Sequence, residues 1–429
     1  MSVGSKKYYL ATLGCSKNEI DSESLEVELR TAGVARTDDV DSADLIIVNS
    51  CGFINDAKIE SIDMALQLNN YRKNGSLLVM CGCLPARYNL EDQLDEIDLF
   101  LPSDKHNQLM PYLKKRGWPV GSSIKKIKRT IPQNPFAYLK ISEGCDNRCT
   151  YCAIPDMKGS FRSRPIEELI SEAEFLCENF AKEIVLVGQD TTLYGSDSSN
   201  IKGLPHLIDR LVGINGLEWI RLMYAHPAHL NVETIETIAS NSKVVNYIDI
   251  PLQHINDNIL RKMNRKTDRS HVESLIAKIR SLIPDIVLRT TFIVGFPGET
   301  ESDFAELLDF CESIQFDNLG VFKYSPEEGT PAGMLEGRIE EGVVEERYLT
   351  LLDLQNKISK ATLSRRVGET HRVLLHEVEN EERSIGRTWF QAPEVDGCTY
   401  VENPGAKPGD FVNVEIIRAE AYDLFARQI

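Results

Sequence analysis

Residues 137–152 read AYLKISEGCDNRCTYC, a strand that runs into a cysteine loop. The apolar residues of 137–143 predict a short buried strand. Three thiols follow at Cys145, Cys149 and Cys152, spaced Cys-x3-Cys-x2-Cys. Three thiolates so close in sequence can wrap one soft metal centre. A structural zinc ion takes four ligands, commonly from two paired cysteines, and no nearby Cys or His completes this set. A [4Fe–4S] cluster on three cysteines leaves one iron open to a small molecule. Incomplete zinc binding and free thiols are the alternatives.

That strand opens a series. Further candidates lie at 183–189 (EIVLVGQ), 219–225 (WIRLMYA), 246–252 (NYIDIPL), 286–294 (IVLRTTFIV) and 318–324 (NLGVFKY). Helical patterns separate them, for instance at 166–180, 257–282 and 301–314. Six βα units predict a partial (β/α)6 barrel, short of the eightfold one. Upstream, buried strands at 8–14 (YYLATLG), 44–50 (DLIIVNS) and 76–82 (SLLVMCG) alternate with helical patterns at 18–32 and 55–72. That alternation predicts a flavodoxin-like parallel α/β domain. Downstream, 341–366 reads as a long closing helix. From about residue 367 the segments THRVLLHEV, RSIGRTWFQA, DFVNVEII and AYDLFARQ predict a small antiparallel β-barrel. The α/β multidomain chain thus divides into 6–124, 131–362 and 364–429. Between the first two, residues 105–142 hold nine Lys/Arg and no Asp or Glu, with the basic cluster KKIKR at 125–129. A solvated connector, or a contact to an anionic partner, explains that stretch.

The 429 residues suit about three domains at ~150 residues each. A hydrophobic share of 42% and a charged share of 26% exclude wholesale disorder. No apolar run reaches the ~18–20 residues that span a bilayer. The start, MSVGSKKYYLATLG, shows no signal-peptide pattern. The expectation is a cytoplasmic protein without a membrane partner, in a reducing compartment where clustered cysteines bind metal or do redox work. The formal net charge of −17 makes a poor generic nucleic-acid binder and a suitable partner for a basic molecule.

A second constellation is dispersed. Cys15 follows YYLATLG, Cys51 follows DLIIVNS and Cys83 follows SLLVMCG. In a parallel sheet the carboxyl ends of the strands share one edge, and ligands bind in the crevice there. Cys15, Cys51 and Cys83 therefore gather on one rim as a second three-cysteine iron–sulfur site, with buried small hydrophobes as the bland alternative. Cys81, inside a strand, and Cys177, Cys311 and Cys398 read as packing residues.

Taken together these motifs resemble the radical S-adenosylmethionine (SAM) methylthiotransferases. GCDNRCTYC is similar to the radical SAM signature, in which Tyr151 would pack near the adenine. TLGC at 12–15, VNSCGF at 48–53 and CGCLPAR at 81–87 are similar to the family's three other cysteine motifs, and the C-terminal segment resembles its TRAM domain. One branch modifies an adenosine of transfer RNA; the other modifies an aspartate side chain of small-subunit ribosomal protein S-twelve. IPDMKGSFRSRP at 154–165, GQDTTLYG at 188–195, DIPLQH at 249–254, GRTWFQAPEVDG at 386–397 and YDLFA at 422–426 resemble the ribosomal-protein branch. Residues 364–429 hold eight Lys/Arg against twelve Asp/Glu, a net of −4. An acidic barrel suits a basic ribosomal protein better than RNA, with Glu394, Asp396 and Glu402 expected to face it.

The resemblance implies two [4Fe–4S] clusters, on Cys15, Cys51 and Cys83 and on Cys145, Cys149 and Cys152, the second chelating SAM. One electron splits SAM into methionine and a 5′-deoxyadenosyl radical, which takes hydrogen from the β-carbon. The first cluster offers sulfur that a second SAM methylates. A flavodoxin- or ferredoxin-type electron donor and a sulfur donor are the implied partners. Gly188, Gln189 and Asp190 would contact SAM, as would Gly295, Phe296 and Gly298 of IVGFPG; no catalytic residue is implied beyond the clusters. His226 and His229 share an HxxH spacing, but Pro227 between them argues against a helical zinc motif and for a loop or substrate contact. Arg162 and Arg164 are equally candidates for SAM, substrate or structure.

Overall fold

The computed structural model describes residues 6–118, 129–402 and 405–429. Most of the basic cluster at 125–128 lies outside them. The chain forms two compact units: residues up to 130 with 143–162 and 327–330, and 131–142 with 163–326 and 331–429.

The first unit is built on five strands, β1 (Lys7–Thr12), β2 (Ala35–Arg36), β3 (Leu45–Ser50), β4 (Leu77–Gly82) and β5 (Leu99–Pro102). They pair in parallel in the order β2-β1-β3-β4-β5, the flavodoxin-like order. The helices α1 (Ser16–Thr31), α2 (Asn55–Tyr71), α3 (Cys83–Arg87) and α4 (Leu109–Lys115) connect and cover them. Every residue of β3 and β4 is buried, as a parallel sheet covered on both faces requires. The period of two sorts them: Leu45, Ile47, Leu77, Val79 and Cys81 pack with Leu25 and Leu29 of α1, while Ile46, Val48, Leu78 and Met80 pack with Ala65 and Leu68 of α2. The short α5 (Ile154–Lys158) completes this unit.

The second unit holds the strands β6 (Phe136–Lys140), β9 (Glu183–Val187), β10 (Trp219–Leu222), β11 (Val244–Asp249), β12 (Val287–Val294) and β13 (Asn318–Lys323); β7 (Ser142–Glu143) and β8 (Arg162–Ser163) are two-residue strands. The six pair in parallel and in chain order, an open partial barrel. Its helices are α6 (Ile166–Glu178), α7 (Leu204–Val212), α8 (Val232–Ser240), α9 (Asp257–Lys262), α10 (Arg269–Leu282), α11 (Glu301–Ile314) and the closing α12 (Glu341–Ser364). The single helical pattern expected over 257–282 is two helices. Asn264 turns the chain at φ 55°, and Asp268 caps α10 by accepting from the His271 amide; that local bond competes with a continuous helix.

The terminal barrel is closed, in the order β14 (Thr370–Asn380), β15 (Arg383–Arg387), β16 (Thr399–Glu402), β18 (Leu424–Gln428) and β17 (Phe411–Ala419). Four of its pairings are antiparallel, and β16 pairs with β18 in parallel. The four-residue β16 was not among the strands read from the sequence. The barrel docks on the amino-terminal ends of the parallel strands. Glu183, at the start of β9, is fully buried and accepts from Arg221 Nε at 2.6 Å and from Arg387 Nη2 at 2.7 Å. Burial works against its charge, but the two guanidiniums outweigh it and hold the carboxyl below the usual range. Trp219 meets Phe411 edge-on at 4.9 Å.

This docking corrects the expectation for the acidic loop. Asp396, 2% exposed, accepts from Tyr247 Oη at 2.7 Å and pairs with Arg289 at 3.0 Å. Glu394 accepts from Tyr138 Oη at 2.6 Å. Asp396 is thus spent on the parallel sheet and not offered to a partner, whereas Glu394 stays exposed beside Tyr138. Glu402 stays on the surface, paired with Arg427.

Candidate iron–sulfur and substrate sites

All six candidate cysteine ligands lie in the first unit. Cys15 sits between β1 and α1, Cys51 beyond β3, and Cys83 at the start of α3 beyond β4. The sheet order places β1 beside β3 and β3 beside β4, so three strand ends converge. An added Cβ on Gly14 would stand 3.2 Å from Cys51 Sγ. Asn18, buried in the first turn of α1, binds the three loops together. Its Nδ2 donates to Leu13 O at 2.8 Å and Ser50 O at 3.2 Å, and Cys83 Sγ meets its Oδ1 at 3.7 Å. Ser61 Oγ accepts from the Cys51 amide at 3.0 Å and donates to the Cys51 carbonyl at 2.9 Å. Arg87 donates to the carbonyls of Gly52 and Phe53 and pairs with buried Glu327 at 3.0 Å.

Gly82 has φ +102°, and a Cβ there would lie 2.4 Å from Asn49 Oδ1 and 2.6 Å from Ser50 O. Only glycine lets the chain turn from β4 into Cys83 against the neighbouring strand. Burial pushes the Cys83 thiol up to about 11, with Cys51 and Cys15 adding to it and Lys158 opposing it. Burial likewise raises Cys51, and Cys15 adds to that. The Cys83 thiol thus feels both of the others.

The other three cysteines lie in the loop ahead of α5. The Cys145 amide donates to Gly159 O at 3.1 Å and the Cys152 amide to Cys149 O at 3.1 Å. Arg148 adopts φ 53° between them. Cys83 packs against Ala153 and Met157, directly after this loop. Lys158 is buried and pairs with Asp21 at 3.3 Å and Glu143 at 3.8 Å. Burial opposes its charge, yet the two carboxylates prevail and hold its pKa above the usual range. One buried cation therefore links the α1 that follows Cys15 to the residue just before Gly144 and Cys145. No disulfide joins any of the ten cysteines, and Cys81, Cys177 and Cys311 are buried.

Tyr151 lies with its cysteine loop in the first unit, as does Arg162; the second unit carries the other candidates, at the carboxyl ends of its parallel strands, where such barrels place their chemistry. Gly188, Gln189 and Asp190 follow β9; His226 and His229 follow β10; Gly295, Phe296 and Gly298 follow β12. Gly295 has φ +80°, and a Cβ on it would meet Val344 of α12 at 2.6 Å. Glu299 Oε2 accepts from the Gly295 and Phe296 amides at 2.8 and 3.2 Å, and its Oε1 takes Arg347 at 2.9 Å. Phe296 is fully buried against Tyr324, so its ring serves the core. Asp190 is also fully buried, bound by Thr192 and His229. Arg164 donates to Glu172 and to Lys140 O, a structural use.

Three family descriptions match: the radical SAM superfamily over residues 139–311, Uncharacterized protein family UPF0004 over 7–102, and the TRAM domain over 367–429. A Clostridium tetani protein named ribosomal protein uS12 methylthiotransferase RimO is 42% identical over 439 residues, 97% of each chain. Its namesake in Desulfitobacterium hafniense is 40% identical over 100% of both. The chain belongs to the RimO family of methylthiotransferases. Among solved structures, the radical SAM methyltransferase TsrM of Kitasatospora setae, with tryptophan and a SAM analogue, aligns at a TM-score of 0.59. That alignment has 14% identity and covers 77% of this chain and 75% of that one. The cobalamin-dependent radical SAM enzyme OxsB aligns at 0.54, with 16% identity over 83% and 56%. At these identities the likeness concerns the fold alone.

For a RimO-family chain, four residues went unread in the sequence: Asn18, Arg87, Lys158 and Glu299. Arg87 closes the quoted motif CGCLPAR, and Glu299 follows IVGFPG directly. Both were visible as charges beside a motif. Lys158 likewise stands as a charge inside the quoted IPDMKGSFRSRP, whereas Asn18 gave no such signal, because Ser50 and Cys83 are distant from it in sequence.

Proposed function

We propose that this chain attaches a methylthio group to the β-carbon of an aspartate side chain of ribosomal protein uS12 by radical SAM chemistry. The observation that carries the reading is the presence, in one compact unit, of two three-thiol sites, one local and one gathered from three strand ends. The C. tetani and D. hafniense relatives are named uS12 methylthiotransferases. Cys145, Cys149 and Cys152 hold the cluster that binds SAM, and Cys15, Cys51 and Cys83 hold the cluster that carries sulfur. Three soft donors per site suit a [4Fe–4S] cluster with one open iron. When bound, the clusters and SAM supply the one-electron chemistry and the sulfur that an unactivated C–H bond demands.

The protein's own residues bind and orient. Asn18, Ser61 and Arg87 hold the three cysteine loops in register. Glu299 fixes the backbone amides of Gly295 and Phe296, so that a SAM contact from this turn comes from main chain. Tyr151, Gly188, Gln189 and Gly298 complete the SAM candidates, while the buried Asp190 carboxylate is taken by Thr192 and His229. Electrons come from a flavodoxin- or ferredoxin-type donor and sulfur from a separate donor, in the cytoplasm. Among the described residues no helix is long and apolar enough to cross a membrane. The net charge of −17 favours encounter with a strongly basic ribosomal protein over transfer RNA, the competing substrate for this fold. Mass spectrometry of uS12 and of transfer RNA from cells with and without the gene tests the reading. The methylthio mass should leave uS12 when the gene is deleted; loss from transfer RNA instead would overturn it.

A further inference from the structure

We infer that His229 receives the carboxylate of the substrate aspartate and that Asp190 is a positioning residue acting through it. The inference rests on the functional reading above and deepens it at the barrel rim.

The proton positions follow from the hydrogen bonds. Asp190 Oδ1 accepts from the Thr192 amide at 3.1 Å and from Thr192 Oγ1 at 2.5 Å. Its Oδ2 lies 2.8 Å from His229 Nδ1. An ionised carboxylate only accepts, so Nδ1 of His229 carries a proton and Nε2 is left for another partner. The His229 side chain is 26% exposed, while that of Asp190 is 0% exposed. A guest at the rim therefore reaches the ring and not the carboxylate behind it.

His226 supplies a second donor. Its ring stacks on that of His229 with centroids 4.8 Å apart. Its Nδ1 accepts from the Ala228 amide at 3.2 Å, which puts its proton on Nε2. Burial, with Arg265 and His229 adding to it, lowers its pKa to about 3, so it stays a neutral N–H donor. With a carboxylate guest on one side and Asp190 on the other, the His229 ring holds both protons and lies between two anions. A proton taken up with the guest offsets the guest's charge, and the group keeps the single negative charge that Asp190 carries.

The same three residues have their donor atoms within 4.8 Å of one another, a grouping that could hold a metal ion. Ligation by all three would draw on an Asp190 oxygen that already accepts from Thr192 or faces His229, besides the Nδ1 of His226 that accepts from the Ala228 amide if that nitrogen were used. The observed bonds suit an anionic guest without drawing on either. The setting is that of a working rim. Tyr224 and Gln253, beyond the ends of β10 and β11, adopt φ of 58° and 74°. Strained conformations of this kind gather where a fold holds ligands.

The test uses the reconstituted enzyme with recombinant uS12, following methylthio-uS12 and 5′-deoxyadenosine together. His229→Gln keeps a polar side chain but cannot become a cation. It should raise the KM for uS12 about tenfold to a hundredfold, the worth of a charge-assisted hydrogen bond, with a smaller fall in kcat. Asp190→Asn should act in the same direction, and His229→Arg, which restores a cationic donor, should recover part of the KM. An unchanged KM for uS12 in His229→Gln, with uS12 still modified, overturns this inference alone. So does a loss that falls on the KM for SAM, or stoichiometric zinc in cluster-free protein that disappears with His229→Gln. Wild-type enzyme that cleaves SAM and leaves uS12 unmodified overturns the functional reading, and this inference with it.

Discussion

The two cysteine triads solve one problem in opposite ways. Cys145, Cys149 and Cys152 occupy a single loop, and the backbone bonds that shape it run within residues 145–159. Cys15, Cys51 and Cys83 come from three separate strand ends and meet only because β1, β3 and β4 are neighbours. The local triad is a property of a short peptide turn, whereas the dispersed one is a property of the whole sheet. A site of the first kind depends on few distant contacts. A site of the second kind inherits every weakness of its fold, which is why Asn18, Ser61 and Arg87 are all needed to tie it together.

Removing either triad should expose the contrast most strongly. Anaerobic reconstitution should give about eight iron per chain from two [4Fe–4S] clusters. With Cys145, Cys149 and Cys152 changed to Ala, iron should fall by about half and SAM cleavage should vanish. Full iron in that variant would refute the ligand assignment. With Cys15, Cys51 and Cys83 changed to Ala, iron should again halve, while reductive SAM cleavage persists and no methylthio product forms. Loss of all SAM cleavage in folded protein would show that the two triads do not divide the labour.

Lys158 sharpens the comparison because it touches both sides. Lys158→Met should cost about 3 kcal/mol at neutral pH, since it strands two carboxylates at a buried ion pair. The Lys158 pKa is raised in the folded chain, so its contribution is full below the unfolded value of about 10.4 and fades as pH rises beyond it. Urea midpoints of wild type and Lys158→Met should therefore converge above about pH 10.4; a constant gap across that range would count against the ion-pair account. The smallest effect concerns the turn into Cys83. Gly82→Ala should destabilise by about 1–3 kcal/mol through strain and lower iron at the dispersed triad only. Gly75 has a φ of +83° and nothing within 4 Å of an added Cβ, so Gly75→Ala measures the conformational part alone. Equal losses in the two variants would mean that the contact with Asn49 and Ser50 does not matter.

Much of this architecture was legible in the sequence because its signals are local. Buried runs such as LIIVNS and LLVMCG announce parallel strands, and Cys-x3-Cys-x2-Cys announces its own loop. The dispersed triad was legible only through a topological rule, that parallel strand ends share an edge. What escaped depends on distant partners. Asp396 read as a surface acid because nothing near it in sequence shows that Arg289 and Tyr247 wait across the interface. The break between α9 and α10 escaped because Asn264 and Asp268 fit a helical pattern by spacing, while their side-chain chemistry favours a turn and a cap. Strand β16 was too short to show alternation.

The docking of the terminal barrel has a consequence for how this chain can be cut. A truncation after α12 would leave Glu183 with Arg221 but without Arg387, Tyr247 and Arg289 without Asp396, and the face of Trp219 without Phe411. Such a fragment would carry a half-neutralised acid and a bare indole at the floor of its catalytic sheet. The small barrel thus covers the floor of the larger one, and Arg387, Asp396 and Phe411 are what it brings to that contact.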